Sequence, residues 1–287
     1  MNLNAYAKLN LLLNVHGKNF NGYHSIETVM MPLELHDSLS IEVINDSQDI
    51  IIHTNSIQIP TDNNNILYKC AVLFQKHFGI SKGFKIFLEK RIPICSGLGG
   101  ESADAAALIH FINNYFSLKL KYKDIFYFGR LLGWDVPICY FQKPIYINDL
   151  NSTCEFIDCR TQYYFLLIKP EFGISTTHAF INLDKKNITN KDALPLIEAL
   201  LQTNSNIGNL LYNVFISCEN RLLKEYNKLL QISMDLGFDG VSMTGTGSCF
   251  YLISKNFFIV QDGYNFLKDT YPFVLVTSNF EGGHYHD

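Results

Sequence analysis

The feature that most constrains this chain is a glycine-rich segment between an alternating apolar stretch and an alanine-rich stretch. Residues 93–102 read Pro-Ile-Cys-Ser-Gly-Leu-Gly-Gly-Glu-Ser. The alternating residues 84–88 predict a strand before it, and residues 103–116 predict a buried helix after it, with Ser102 as the N-cap. Glycines let backbone N–H groups surround an anion at the positive end of a helix dipole. The segment therefore predicts a phosphate-binding loop, and a flexible turn with a capping serine is the alternative.

This loop differs from two common nucleotide-binding motifs. A Walker A loop requires Lys-Ser or Lys-Thr after its last glycine, and the sequence has Glu101-Ser102 there. The dinucleotide-binding fingerprint requires a third glycine where the chain has Ser102. The loop therefore predicts a phosphate site of another class.

The rest of the chain mixes strand and helix patterns without regular βαβ alternation, which favours an α+β fold over a doubly wound sheet. Strands are predicted at residues 1–16, 25–44, 163–168, 240–244, 249–253 and 273–277, and helices at 65–77, 122–132, 192–202, 209–222, 223–236 and 257–268. A chain of 287 residues is long enough for about two domains. We place the boundary near residue 157, after the loop at residues 148–153.

Composition excludes several classes of protein. With 47% hydrophobic and 17% charged residues, the chain is not predicted to be disordered. A net charge of -4 argues against general nucleic-acid binding. No apolar run is long enough for a membrane span, and the first residues lack the pattern of a signal peptide. Seven cysteines without a C-x-x-C pair indicate buried thiols in a reducing compartment, so the cytoplasm is the expected location.

The loop and its neighbours also carry a family resemblance. Residues 97–106, Gly-Leu-Gly-Gly-Glu-Ser-Ala-Asp-Ala-Ala, resemble the second motif of the GHMP kinases. Four further segments, in the family's order, resemble the branch of that superfamily that phosphorylates a CDP-linked methylerythritol: residues 5–11, 21–28, 132–137 and 243–248. The Gly-Tyr-His sequence at residues 22–24 is the part that singles out this branch.

The resemblance implies a two-domain α+β fold, with a ribosomal-protein-S5-like ATP-binding domain over residues 1–157 and a ferredoxin-like domain over 158–287. It also implies transfer of a phosphoryl group from ATP, with Mg²⁺, to the 2-hydroxyl of the CDP-linked acceptor in the non-mevalonate isoprenoid pathway. The expected partner is this small molecule, with no nucleic acid and no membrane, and the chain is expected to be a monomer or a homodimer.

Lys8 and Asp135 are the predicted catalytic residues. Asp135 lies before Val136-Pro137, where proline favours an extended backbone, and would accept the proton of the acceptor hydroxyl. A turn aspartate is the alternative. Lys8 lies in an apolar strand, where an edge-strand lysine that prevents aggregation is the alternative. By resemblance, the lysine sits beside the aspartate and stabilises the reacting hydroxyl as it loses its proton.

The resemblance also assigns residues to the two substrates. The ATP residues are Pro93, Ile94, Cys95, Ser96, Gly97, Leu98, Gly99, Gly100, Glu101, Ser102, Ala103, Asn65, Lys90 and Asp104. The acceptor residues are Asn10, Tyr23, His24, Thr176 and Phe180, with Tyr23 and Phe180 on the two faces of the cytosine. Ser102 is a candidate metal ligand. Asn65 could equally be a helix cap, and Phe180 could equally be a core residue.

Several positions depart from the family pattern. Glu101 stands where glycine is usual, Ala103 replaces a serine, and Trp134 replaces a small residue beside Asp135. A glycine-containing segment usually found after Asp135 is missing from residues 145–152. Two other functions therefore stay open: a kinase for a smaller alcohol of the homoserine or mevalonate type, and a degenerate nucleotide-binding member without turnover.

Overall fold

The computed structural model describes residues 1–18, 22, 24–203 and 205–280, and its helices pack against two β-sheets. The strands are β1 (Asn2–Lys18), β2 (His24–Ile44), β3 (Ile50–Thr54), β4 (Gly83–Glu89), β5 (Ile145–Asn148), β6 (Thr153–Phe156), β7 (Tyr164–Lys169), β8 (Tyr212–Asn213), β9 (Gly240–Met243), β10 (Phe250–Ser254) and β11 (Phe273–Ser278). The helices are α1 (Ile66–Phe78), α2 (Gly100–Tyr115), α3 (Tyr122–Leu132), α4 (Val136–Phe141), α5 (Thr176–Leu183), α6 (Leu194–Leu201), α7 (Asn220–Leu236) and α8 (Phe257–Leu267). The predicted α+β class is confirmed.

The first sheet is mixed and has the strand order β3-β4-β2-β1-β8, with β5 beside β2 and β6 beside β5. The second sheet has the order β11-β7-β10-β9 and is antiparallel throughout. Strand β1 is buried without interruption from Ala7 to Val15 because α2 packs against it. The four buried alanines of α2, at 103 and 105–107, let the helix approach the sheet closely. Within the described residues, no helix is both long and apolar enough to cross a bilayer.

The hydrophobic core crosses from one sheet to the other. Along β7, Phe165 and Leu167 join the core that contains α1 and α2, while Leu166 and Ile168 join the core beneath α5, α7 and α8. Strand alternation therefore gives the second sheet two apolar faces. The chain passes from the first sheet to the second between β6 and β7, but β8 lies in the first sheet again. The domain boundary near residue 157 therefore remains a prediction.

Two predictions about helices were wrong, and in both places tertiary contacts set the local conformation. Residues 209–222 are not one helix: β8 pairs with β1, short 3₁₀ turns flank it, and α7 begins at Asn220. Ser102 does not cap α2, which begins at Gly100 after Gly99 in the left-handed conformation. Strand β3 and helix α5 were not predicted. None of the seven cysteines forms a disulfide, but Cys95 is exposed and two others are half-buried.

The glycine-rich loop packs directly against a second glycine-rich turn, at residues 244–247. Gly97 has φ +77° and lies so close to this turn that a Cβ there would be 2.2 Å from the carbonyl oxygen of Thr244. Gly245 has φ +58°, and its Cβ would be 2.9 Å from the Cα of Gly97. The two backbones can meet because neither residue has a side chain.

We expect Gly97→Ala to destabilise the fold more than a matched control, Gly79→Ala. Both glycines have positive φ, +77° and +64°, so both variants lose about 1–2 kcal/mol from backbone strain. Only Gly97→Ala also places a Cβ against the backbone of Thr244, since nothing lies within 4 Å of a Cβ at Gly79. Chemical denaturation should show a further loss of at least about 1 kcal/mol for Gly97→Ala. Equal losses in the two variants would contradict the packing described above.

Candidate functional site

A buried lysine and a partly exposed aspartate meet at the centre of the molecule. Lys8 is only 4% exposed, which excludes the solvated edge-strand lysine. Its Nζ lies 3.2 Å from Oδ2 of Asp135 and donates to Oδ1 of Asn10 at 3.0 Å. A buried ammonium is stable only with such partners. The predicted pair of Lys8 and Asp135 is therefore brought together.

Asp135 reaches this position from the start of a short helix. The extended backbone predicted before Pro137 is wrong: Val136 is the first residue of α4, and Asp135, with φ -82° and ψ -11°, directly precedes it. Pro137 lies in the first turn of α4, where proline fits because no intrahelical donor is lost. The turn holds the Asp135 side chain beside Lys8 on β1.

Asn10 connects the two halves of the site. Its Oδ1 accepts hydrogen bonds from the Lys8 ammonium, from the Thr244 hydroxyl at 3.2 Å and from the Gly245 N–H at 2.9 Å. Its Nδ2 donates to the Thr28 hydroxyl at 2.9 Å. The amide is 3% exposed, and both its oxygen and its nitrogen make hydrogen bonds. Asn10 thus fixes the position of the lysine relative to the second glycine-rich turn.

Asn213, which sequence reasoning did not single out, is also part of this arrangement. Its buried Nδ2 donates to the carbonyl oxygens of Met243 at 2.7 Å and Gly245 at 2.9 Å. It comes from β8, which was predicted as helix, and no local pattern reveals a partner so distant in sequence. Asn213 holds the turn whose N–H and hydroxyl bind Asn10.

The glycine-rich loop ends with the N-terminus of α2 open to a cavity. The Leu98 carbonyl accepts from the Lys8 backbone N–H at 3.0 Å, which ties the loop to β1. The first intrahelical bond runs from the Ala103 N–H to the Gly99 carbonyl. The N–H groups of residues 100–102 have no partner within the helix, as in the first turn of any α-helix. Groups of this kind can bind an anion, and the phosphate site in the loop remains a prediction.

The cavity has a volume of about 450 Å³ and brings together most of the predicted residues. Those that line it are Lys8, Asn10, Lys90, Pro93, Ile94, Cys95, Ser96, Gly97, Gly99, Gly100, Glu101, Ser102, Asp135, Thr176 and Phe180. The remaining ATP residues, Asn65, Leu98, Ala103 and Asp104, do not line it. Asn65 caps α1, accepting from the Leu67 N–H at 2.8 Å and donating to the Pro60 carbonyl at 2.6 Å.

A second cavity of about 1070 Å³ adjoins the first, and Ile26, Trp134 and Phe180 line both. His24 lines the second cavity, and its ring stacks on Phe180 with centroids 4.9 Å apart. Phe180 also packs edge-on against Phe215, so it is both a core residue and a cavity residue. The predicted residue Tyr23 lies outside the described residues.

A buried charge cluster of Lys90, Asp37 and Asp104 packs beside the glycine-rich loop. Lys90 Nζ lies 2.5 Å from Oδ2 of Asp37 and 2.8 Å from Oδ2 of Asp104, and all three side chains are at most 6% exposed. The other oxygen of Asp37 accepts from the N–H groups of Arg91 and Ile92 at 2.6 and 2.9 Å. A Cβ on Gly100 would be 3.1 Å from the ammonium. The cluster therefore joins β2 and α2 to the start of the loop.

The two carboxylates of this cluster are not equivalent. Burial and the charge of Asp37 raise the pKa of Asp104 well above its ordinary value, against the lowering effect of Lys90. Among the described residues, Asp104 Oδ1 has no hydrogen-bond partner. Burial lowers the pKa of Lys90, but attraction by Asp104 and Asp37 outweighs it, and the net pKa is raised. Lys90 thus remains an ammonium whose charge is already compensated.

The described residues contain no group of three His, Cys, Asp or Glu side chains that could hold a metal ion. Ser102 and Glu101 line the cavity at the N-terminus of α2. Their hydroxyl and carboxylate oxygens are of the type that Mg²⁺ prefers. These two residues fit an ion that is held mainly by nucleotide phosphates.

The sequence of the chain matches a known protein family. The model for the N-terminal domain of GHMP kinases matches residues 65–143. The chain is 33% identical over 287 residues to 4-diphosphocytidyl-2-C-methyl-D-erythritol kinase of Clostridium tetani, covering 96% of this chain and 99% of the relative.

Two solved structures show the same fold. The crystal structure of 4-(cytidine 5'-diphospho)-2C-methyl-D-erythritol kinase has a TM-score of 0.80 at 23% identity, covering 98% of this chain and 100% of that one. Homoserine kinase from Cytophaga hutchinsonii has a TM-score of 0.71 at 17% identity, covering 96% and 95%. The fold is thus shared among kinases that are named for different substrates.

We expect Asp37→Asn to destabilise the protein more than Asp104→Asn. Asp37 is the acceptor of two backbone N–H groups and of Lys90, and breaking a buried ion pair costs about 3–5 kcal/mol. Asp104→Asn keeps an acceptor for Lys90 and leaves one buried N–H unpaired, which costs about 1–3 kcal/mol. Unfolding free energies from chemical denaturation, measured at one pH, provide the test. A larger loss for Asp104→Asn would contradict the inequivalence of the two carboxylates.

Proposed function

The chain belongs to the family of 4-diphosphocytidyl-2-C-methyl-D-erythritol kinases, and from that premise we propose that it transfers the terminal phosphoryl group of ATP to the 2-hydroxyl of 4-diphosphocytidyl-2-C-methyl-D-erythritol. One observation carries the proposal: the Lys8–Asp135 pair and the open N-terminus of α2 line the same cavity. A proton acceptor and a phosphate-binding loop around one space are what phosphoryl transfer to an alcohol requires.

Asp135 receives the proton of the acceptor hydroxyl. The freed oxygen attacks the terminal phosphorus of ATP, the bond from that phosphorus to the bridging oxygen breaks, and ADP leaves. The Lys8 ammonium, 3.2 Å from the carboxylate, stabilises negative charge on the hydroxyl oxygen as the proton moves. Asn10 holds the ammonium in place, so the pair needs no rearrangement during the reaction.

The loop residues bind the phosphates of ATP. Two lysines line the cavity, but both are in ion pairs. Two buried carboxylates compensate the positive charge of Lys90, and Asp135 compensates that of Lys8. Phosphate binding therefore depends on backbone N–H groups and the dipole of α2 more than on free side-chain charge. Mg²⁺ bound with ATP would neutralise phosphate charge, with Ser102 and Glu101 as the nearest candidate oxygen ligands.

The acceptor extends from the first cavity into the second. Its hydroxyl end lies near Asp135, Asn10 and Thr176, and its cytosine lies near His24 and Phe180. The aromatic stack between the cavities supports an acceptor with a planar base. A small alcohol such as homoserine or mevalonate would leave the second cavity, about 1070 Å³, without a role.

A coupled assay for ADP should find turnover with the CDP-linked acceptor and none above background with homoserine or mevalonate. A preference for either small alcohol would replace the proposal with the corresponding kinase. ATP binding without turnover on any of the three would indicate a degenerate member of the family.

We expect Asp135→Asn and Lys8→Met each to lower kcat by at least about 100-fold, the lower range for loss of a general base or its supporting charge. Asp262→Asn, an exposed change on α8, is the matched control and should keep wild-type turnover. Circular dichroism should show that all three variants are folded. Wild-type kcat in a folded Asp135 or Lys8 variant would remove that residue from the mechanism.

A further inference from the structure

Asp184, the residue that follows α5, binds two side chains from the end of the β1–β2 hairpin. Its Oδ1 lies 2.6 Å from Nε2 of His24, and its Oδ2 accepts from Nζ of Lys18 at 2.7 Å. Lys18 ends β1 and His24 begins β2, and the two residues are paired across the hairpin. The Asp184 carboxylate therefore connects strands β1 and β2 of the first sheet to the end of α5, the helix that follows β7 of the second sheet.

We propose that Asp184 is a positioning residue for the base end of the acceptor site, holding the His24 ring in one orientation with Nε2 toward the carboxylate. This inference rests on the proposed function, because it assigns a role within the same acceptor site. Neither Asp184 nor Lys18 lines either cavity, so Asp184 acts through His24.

The geometry of α5 explains why this residue controls the stack. Phe180 and Asp184 are four residues apart, and Asp184 keeps helical dihedrals, so both side chains lie on one face of the helix. The ring of His24 stacks on Phe180 while its Nε2 reaches the carboxylate. The imidazole is thus fixed at two points, by its face and by one ring nitrogen.

The same bond determines which ring nitrogen carries the proton. Hydrogen bonds from Lys18 and then from His24 lower the pKa of Asp184 below its ordinary value, so the carboxylate is ionised at neutral pH and can only accept. Nε2 of His24 must then be the donor. In a neutral imidazole this leaves Nδ1 as an acceptor. An acceptor there suits the amino group of cytosine, whereas uracil offers a carbonyl oxygen at that position.

A purely structural role for Asp184 would lower stability, whereas a positioning role would change acceptor binding. Asp184 is about 40% exposed, and ion pairs at such exposed positions contribute little to stability. Losing the carboxylate should therefore leave the melting temperature almost unchanged. The effect should appear in acceptor binding, since only His24 loses its orientation.

The test compares Asp184→Ala with Asp184→Asn and Lys18→Ala in the full chain. We expect Asp184→Ala to raise the KM for the CDP-linked acceptor about tenfold, with kcat and the KM for ATP within about twofold of wild type. Asp184→Asn keeps an oxygen that can accept from Nε2 and should recover part of the loss. Lys18→Ala leaves the bond to His24 intact and should have the smallest effect. An unchanged acceptor KM in Asp184→Ala, or a parallel fall in kcat, ATP affinity and melting temperature, would overturn the proposal.

A second measurement does not depend on activity. Nitrogen-15 NMR of the His24 ring should show the Nε2-protonated tautomer in wild type and a mixture in Asp184→Ala. An unchanged tautomer in the variant would overturn the role of Asp184 even in an active kinase. If the chain did not phosphorylate the CDP-linked acceptor, the proposed function would fail, while the tautomer would still decide whether Asp184 sets the state of His24.

Discussion

The buried ammonium of Lys8 is the interaction on which the rest of the site depends. A charge that is 4% exposed has to be paired, and the pairing brings three parts of the chain together. Asp135 comes from the start of α4, Asn10 from the same strand, and the Leu98 carbonyl binds the Lys8 backbone. The glycine-rich loop, Asp135 and the central strand are consequently fixed relative to one another.

Contacts between distant backbones complete this arrangement. Gly97 and Gly245 pack against each other without side chains, and Asn10 and Asn213 bind the turn that contains Gly245. The loop is supported on its other side by the buried Lys90 cluster. A rigid loop suits phosphoryl transfer, in which positioning and charge neutralisation provide most of the catalysis. The base end of the acceptor site relies on a weaker, more exposed bond to Asp184.

The errors made from sequence have a common cause. Residues 209–222 have a helical spacing of apolar residues, yet two of them pair with β1 and their flanks become short turns. Ser102 is a good capping residue, but the left-handed Gly99 starts α2 earlier. Val136-Pro137 favours an extended backbone, but proline is equally suited to the first turn of α4. In each case the local preference was weak, and packing against a distant segment decided the conformation.

The sequence by itself determined the α+β class and most of the strands and helices, because periodicity acts over a few neighbouring residues. Glycine placement predicted the phosphate loop, and the resemblance supplied the catalytic candidates Lys8 and Asp135. The family resemblance, carried by short motifs, was also present in the sequence. Only the tertiary structure decided that Asn10 holds the Lys8 ammonium, that Asn213 supports the second glycine-rich turn, and that Asp184 reaches His24. The partners in the last two contacts are far apart along the chain, and hydrogen-bond partners at such separations leave no local pattern; they are selected when the sheets and helices pack and buried polar groups must be satisfied.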